Sequence, residues 1–207
     1  MATYTWSHSI DDSSDLQTLL IPQNVNRFDL EKADSLFDQR HRFVFSGAMN
    51  SPTSWATGSG IKKVFSNFTI APIIEISSGR PFNIITNVDT NNDQATQTDR
   101  PSVNSGGVLV LPDVFTTGSL GRNMGLTHGF MSVDLGLTRA IRINERVRID
   151  LIAQGFNLLN RFNEGSASPL FTDVNAFGQR AGNGRFYSRS TAAYDPRQFQ
   201  FGAKFSF

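Results

Sequence analysis

RQFQFGAKFSF, residues 197–207, is the stretch on which the fold turns. Phe199, Phe201, Ala203, Phe205 and Phe207 take every second position, with Gln198, Gln200, Gly202, Lys204 and Ser206 between them. Successive side chains of a strand point to opposite faces, so this stretch predicts a strand with a phenylalanine stripe on one face and polar groups on the other. Two architectures use such a strand. One is the last core strand of a soluble sheet. The other is a lipid-facing strand of a transmembrane barrel, where segments of about ten residues alternate apolar-out and polar-in. A tilted strand needs about 9–11 residues to cross the hydrocarbon, which this stretch supplies.

Composition narrows the choice. Of 207 residues, 18% are charged and 39% hydrophobic, which excludes a wholly disordered chain. The net charge of +1 provides no field for steering nucleic acid. Phenylalanine, with 18 copies, far outnumbers the 3 tyrosines and 2 tryptophans, and 17 glycines favour strands and turns over helices. There is no cysteine, so disulfides and thiolate metal sites are excluded. No apolar run approaches the ~18 residues of a membrane helix. The opening MATYTWSHS has neither the basic region nor the apolar core of a signal peptide. For an envelope protein, that predicts a fragment, or a start codon called inside a longer gene.

Alternation places six strands, near residues 2–9, 40–49, 64–78, 130–141, 147–157 and 197–207. In the third, Phe68, Ile70, Pro72, Ile74 and Ile76 share one face. Pro72 cannot donate to a ladder and predicts a bulge or local disruption. After a kink at Gly79 the strand is expected to continue through Pro81–Thr86. Residues 10–39 read as a long loop with a helical turn near Leu30–Phe37, and 87–129 and 158–195 as two more. The connections therefore run long, short, long, short, long. In a meander this puts every long loop at one end of the sheet, the asymmetry of membrane barrels. Structureless loops of this size are uncommon in compact soluble domains. The expected fold is all-β: about six antiparallel up-and-down strands with long extracellular loops and short periplasmic turns. Bacterial membrane barrels start at eight strands, so the chain is expected to form part of a larger transmembrane barrel.

A family resemblance rests on YTWSHSIDD at 4–12, DQRHRF at 38–43, SGRPFNI at 78–84, and DTNND with the following DRP at 89–101. It continues in GRN at 121–123, VDLGLTRAI at 133–141, QGFNLLNRFN at 154–163 and the terminal QFGAKFSF. Together these resemble the C-terminal barrel portion of TonB-dependent outer-membrane receptors, specifically the Oar-like group, whose carboxypeptidase-regulatory-like N-terminal domain is absent here. The resemblance implies a barrel of about 22 strands and an N-terminal plug. It also implies energy coupling through the TonB complex and ligand uptake at the bacterial cell surface. It further implies that Phe199, Phe201, Phe205 and Phe207 form the signal read by the barrel-assembly machinery.

No catalytic constellation, phosphate loop or nucleophile elbow stands out, so neither enzymatic activity nor a cofactor is expected. His8, His41 and His128 lack metal-ligand spacing and read as wall or loop residues. Asp89, Asn91 and Asp93 form an oxygen-rich D-x-N-x-D run, which suits either an Asx-rich turn or a hard cation such as calcium. Gln94 and Arg100 stand where an EF-hand needs glycine and glutamate. Arg40, Arg42, Asp134, Arg148 and Asp150 are expected to form a ladder of charge pairs in the lumen. On the lipid face each would cost about 2–4 kcal/mol at midplane. Arg139 falls on the apolar face near a strand end, where snorkelling is cheap. Trp6 and Trp55 suit either an interfacial belt or core packing.

The leading functional expectation is a receptor or transporter barrel segment. Its partners would be outer-membrane lipid, the assembly machinery, the plug with further strands and TonB, and an extracellular ligand. The alternatives are a surface adhesin or structural barrel without transport, and a soluble β-rich binding domain.

Overall fold

The computed structural model describes residues 1–14 and 21–207. Six strands pair antiparallel in chain order: β1 (Ala2–Trp6), β2 (His41–Ser46), β3 (Phe68–Ser77), β4 (Phe130–Arg142), β5 (Arg148–Phe156) and β6 (Gln198–Ser206). The result is an up-and-down meander, open at β1 and β6.

The register sorts side chains onto two faces. Phe43 pairs with Ile76, Val133 with Ile74, Leu137 with Ala153, and Ile149 with Phe205. Because each pair shares a side of the sheet, Tyr4, Phe43, Ile74, Val133, Leu151 and Phe201 belong to one continuous apolar face. Arg42, Glu75, Asp134, Asp150, Gln154 and Lys204 lie on the other. The apolar face is not a protein core: Phe201 is 78% exposed and Phe205 65%.

Pro72 interrupts the ladder without shifting it. Ser46 pairs with Ile73, and pairing resumes in the same register at Met49 with Ile70. Between them the Gly47 amide donates to the Pro72 carbonyl at 3.1 Å, and proline has no N–H to return. The gap is therefore local, and no bulge forms.

Three segments depart from the sequence-based expectation. β3 starts at Phe68 because Ile61–Val64 forms a helical turn and Asn67 takes a left-handed φ of 57°. β3 also does not continue past Gly79. A Cβ at Gly79 would lie 1.7 Å from the Thr127 carbonyl oxygen, so the chain turns there in close contact, and Pro81–Phe82 pairs with Gly125–Leu126. In the first loop the helical turn is a 3-10 turn at Phe28–Glu31, followed by Ala33–Asp34 pairing with Ile10–Asp11. Residues 15–20 of the expected 10–39 loop lie outside the described residues.

The long connections, 7–40, 78–129 and 157–197, all leave from the same end of the sheet and are not structureless. They fold together into a cap containing short ladders (Ser102–Val103 with Leu109–Val110, Glu164–Ala167 with Ser190–Ala193) and the helix Phe171–Phe177. Ile84, Leu109, Leu120, Val174 and Phe186 are buried there, with Phe82, Val103, Met124 and Phe171 packed around them. At the opposite end β4 and β5 meet in a tight turn. Ile143 N–H donates to Val147 O, and the Asn144 carboxamide oxygen accepts from the amides of Arg146 and Val147.

Candidate functional site

The cap is held by charges that the strand ends bring together. Arg100 donates through both terminal guanidinium nitrogens to Glu31, at 2.7 and 2.9 Å, and through Nε to the Leu120 carbonyl at 2.9 Å. Glu31 Oε1 also accepts from the Gln23 amide at 3.1 Å. Arg122 reaches the Glu31 carbonyl at 2.6 Å and pairs with Asp11. Arg185 pairs with Asp34 and donates to the Asn123 carbonyl at 3.1 Å, while Asn123 Nδ2 donates to the Asp34 carbonyl at 2.8 Å. These contacts tie the first loop to the second and the second to the third. A loop buried away from water must satisfy its polar groups internally, which explains the dense pairing.

The motifs that carried the family resemblance are parts of this frame. In SGRPFNI, Gly79 permits the turn and Ile84 is wholly buried. In DRP, both Asp99 and Arg100 are buried. In GRN, Arg122 and Asn123 stitch loops together. In QGFNLLNRFN, Asn163 brackets Met131, accepting from its N–H at 2.9 Å and donating to its C=O at 2.8 Å, as a neighbouring strand would.

The expected lumen charges separate. Arg42 Nε donates to Glu75 Oε1 at 2.9 Å across β2 and β3. Arg148 Nε donates to Asp150 Oδ1 at 2.6 Å, and Lys204 stands opposite Asp150 in the register. Asp134 makes no ion pair among the described residues; its Oδ1 accepts from Ser132 Oγ and the Asn157 amide at 2.7 and 2.8 Å. Arg40 precedes β2 and belongs to the cap, where it reaches Asp34 and Asp38 at 3.2 Å each. There are thus two pairs at opposite ends of the wall, not one ladder. Arg139 lies over the Phe68 ring, 5.2 Å from its centroid, and this contact accommodates a charge on the apolar face.

The Asp89 carboxylate accepts from the amides of Asn92, Asp93 and Gln94, an Asx-type turn. Asn91 Nδ2 donates to the Gln23 carbonyl at 2.7 Å, and Asp93 Oδ1 accepts from Ala95 N–H at 2.8 Å. Asp99 Oδ2 accepts from Thr90 N–H at 2.6 Å. Burial pushes the Asp99 carboxyl above the usual carboxylate range, and the nearby charges of Asp93 and Asp89 add to the rise.

Of the histidines, His41 bonds Tyr4 Oη at 2.9 Å, and His8 bonds Asp34 at 2.8 Å. His8, Asp34 and Asp38 cluster closely enough to share an ion, but Arg40 and Arg185 already neutralise the two carboxylates. His128 stacks on Tyr187 at 4.4 Å, and its amide and Nδ1 face Glu164 Oε2 at 2.7 and 3.2 Å. Glu31, Arg100, Asp11, Arg122, Asp34, Arg185 and Glu164 were not foreseen as a group. Each is a charge in a polar loop; Asp11, Arg100 and Arg122 lie in the short motifs quoted above, and Glu31, Asp34, Glu164 and Arg185 carried no sequence signal.

Where the cap meets the polar face of the sheet lies a cavity of about 610 Å³. Arg42 and Glu75 from the wall, Phe82 and His128 from the second loop, and Glu164 and Tyr194 from the third line it. A second cavity of about 760 Å³ lies within the cap, between the first and second loops. Both fall in the ~300–1,000 Å³ range of small-molecule sites.

Phe199, Phe201, Phe205 and Phe207 stand exposed along the edge strand, and a sheet with one bare apolar face fits lipid. Comparison with curated proteins and with solved structures gave no match. Residues 1–200 match the family model described as an outer membrane beta barrel domain. With nearly the whole chain covered, this protein belongs to the outer membrane β-barrel domain family and resides in the bacterial outer membrane.

Proposed function

We propose that the chain is a wall segment of a TonB-dependent receptor that handles a ligand at the cell surface. The ordered cap, which closes over a ligand-sized cavity on the polar side of the sheet, carries this reading. Membrane barrels put long loops outside and short turns in the periplasm, so the cap is extracellular in this reading. The strands then run inward at β6 and the polar face lines the lumen. The open edges at β1 and β6 call for further strands, because hydrocarbon does not tolerate unpaired backbone. Those strands, a plug and the TonB complex are the proposed partners, with the assembly machinery reading the phenylalanine strand.

An epitope placed in the exposed 182–184 turn at the native locus tests this. No heavy atom lies within 4 Å of a Cβ position at Gly182, so that side of the turn faces open space. The expected result is an outer-membrane species well above the 22.9 kDa of this chain that cross-links to TonB. A stable species of the chain's own mass with no TonB cross-link would overturn the receptor reading and favour a structural barrel or adhesin.

A further inference from the structure

The end of the sheet away from the cap is basic. Residues 47–67 and 138–150, the two connections there with the strand ends beside them, hold Lys62, Lys63, Arg139, Arg142, Arg146 and Arg148 against Glu145 and Asp150. The whole chain is only +1, so this excess is local. Asp150 is already taken by Arg148. Lys62, Lys63 and Arg139 take part in no ion pair among the described residues. Arg139 is the costliest of them. It lies on the apolar face, paired with Phe68 and Leu151, close to the end of β4 at Arg142. The distance to that end is about 10 Å along the strand, so its long side chain can snorkel toward the headgroups. The Phe68 ring steadies the guanidinium but leaves its charge and N–H donors without an anion.

The second observation is independent of these charges. Ile61, Val64 and Phe65 are 76%, 53% and 55% exposed. Their spacing puts them on one side of the helical turn Ile61–Val64 and its capping residue Phe65, with Lys62 and Lys63 between them. The turn is held beside Arg139. The Phe65 ring stands 6.2 Å from the Phe68 ring, and the Arg139 guanidinium lies 5.2 Å from that same ring. The Asn67 carbonyl also accepts from the Ala140 amide at 3.0 Å. Bare apolar side chains interleaved with lysines are the pattern of a segment lying in a membrane interface, where it is drawn to anionic lipid.

We propose that Arg139, Lys62 and Lys63 form a site for the phosphate of an anionic glycerophospholipid, with Ile61, Val64 and Phe65 set among its acyl chains. Such a lipid supplies both missing partners, phosphate oxygens for the cations and hydrocarbon for the bare side chains. A guanidinium matches phosphate oxygens in a two-pronged contact, and lysines add point charges. A zwitterionic headgroup carries its own cation and is the poorer fit. The bound lipid would fix the depth of β3 and β4 in the membrane. The inference rests on the orientation proposed above, which puts this end of the wall at the periplasmic leaflet. It does not depend on whether the barrel transports.

Native mass spectrometry of the outer-membrane species in mild detergent, with phosphatidylglycerol and phosphatidylcholine of matched acyl chains, tests the proposal. Phosphatidylglycerol should be retained preferentially. That preference should fall about fivefold for each charge removed, in Arg139→Gln and in Lys62→Gln combined with Lys63→Gln. Arg27→Gln makes the same charge change in the cap, beside Asp29, and should leave the preference unaltered. A preference that survives all three substitutions at the site overturns the proposal. So does an equal loss in Arg27→Gln, which would report net charge alone. Inorganic phosphate should not compete, because it lacks the acyl contacts, and competition would overturn the lipid assignment. Arg146→Cys checks orientation separately: a maleimide too large to cross the outer membrane should label it only after permeabilisation. Labelling in intact cells would overturn the orientation and the proposal with it, whereas a protected cysteine with no lipid preference refutes the lipid site alone. Should a variant fail to assemble, photo-crosslinking of the wild type decides. Diazirine-bearing phosphatidylglycerol should label residues 61–68 more than its phosphatidylcholine analogue, and equal labelling refutes the site.

Discussion

Arg100 lays both terminal guanidinium nitrogens on the Glu31 carboxylate, at 2.7 and 2.9 Å, with the two side chains only 4% and 6% exposed. The residues are far apart in sequence, so the pair joins the second loop to the first. Removing one member of a buried pair leaves the other charged and unsolvated, at a cost of about 3–5 kcal/mol. Arg100→Ala or Glu31→Ala should therefore loosen the cap by that order. Replacing both by apolar residues of similar volume should cost much less. Protease sensitivity of the loops in detergent-refolded protein, compared across the single and double variants, reads the difference.

Beside that pair the backbone itself is close-packed. A Cβ at Gly118 would lie 1.8 Å from the Arg100 carbonyl oxygen, a backbone atom that cannot rotate away. Gly118→Ala should displace Arg100 and destabilise the cap by about 1–3 kcal/mol, the usual cost of overpacking. Gly182→Ala is the control, since nothing lies within 4 Å of its Cβ position. Thermal melts of the two variants should separate clearly, and equal melting would show that the Gly118 contact relaxes without cost.

The wall was legible in the sequence because membrane strands obey a simple period. Phe199, Phe201 and Phe205 alternate with Gln198, Gln200 and Lys204, and in β5 Ile149, Leu151 and Ala153 alternate with Arg148, Asp150 and Gln154, with Ile152 and Phe156 as apolar exceptions on the polar face. The cap was not legible. Its stability comes from pairs such as Arg100 with Glu31 and Arg185 with Asp34, whose members lie far apart in the chain and in segments with no periodicity. Alternation reports which face a residue takes. It says nothing about which loop a charge will meet. Arg40 shows the limit: alternation assigned it to the wall, but Asp34 and Asp38 hold it in the cap. The D-x-N-x-D run drew attention to the second loop, but the burial of Asp99 against the Thr90 amide shows only once the loops are folded together.

Acid should open the junction between the first and second loops. Burial pushes the Asp11 carboxyl up, but hydrogen bonds from Ser35, Arg122 and Ser14, with the charge of Arg122, outweigh it and hold the group below its ordinary value of 3.8. A carboxyl with a lowered folded-state pKa contributes stability that is present above its unfolded pKa and lost as pH falls through the folded value. The contribution should be intact at neutral pH and disappear below about pH 4. Hydrogen exchange at Asp11 and around Arg122 should quicken on that descent. Asp11→Asn should exchange faster at neutral pH and show a smaller further change in acid. An unchanged acid response in the variant would place the sensitivity in another carboxylate.

Leu135 and Gln154 lie near the middle of β4 and β5 on opposite faces, and they distinguish lipid from lumen directly. Leu135 pairs with Pro72 and Gly155 on the apolar face, whereas Gln154 pairs with Gly136 and Gln200 on the polar face. An arginine on the lipid face near midplane costs about 2–4 kcal/mol, and lumen substitutions cost far less. Leu135→Arg should therefore reduce the amount of protein assembled in the outer membrane, while Gln154→Arg leaves it near wild type. Heat-modifiable migration of membrane fractions measures assembly for both. The contrast does not arise from a loss of side-chain packing, because Leu135→Ala removes the same contacts without adding charge and should assemble better than Leu135→Arg. If instead Gln154→Arg were the defective variant, the two faces would be reversed and the polar side would meet lipid. That outcome would require Arg42, Glu75, Asp150 and Lys204 to stand in hydrocarbon, at a cost that the two ion pairs on that face could not offset.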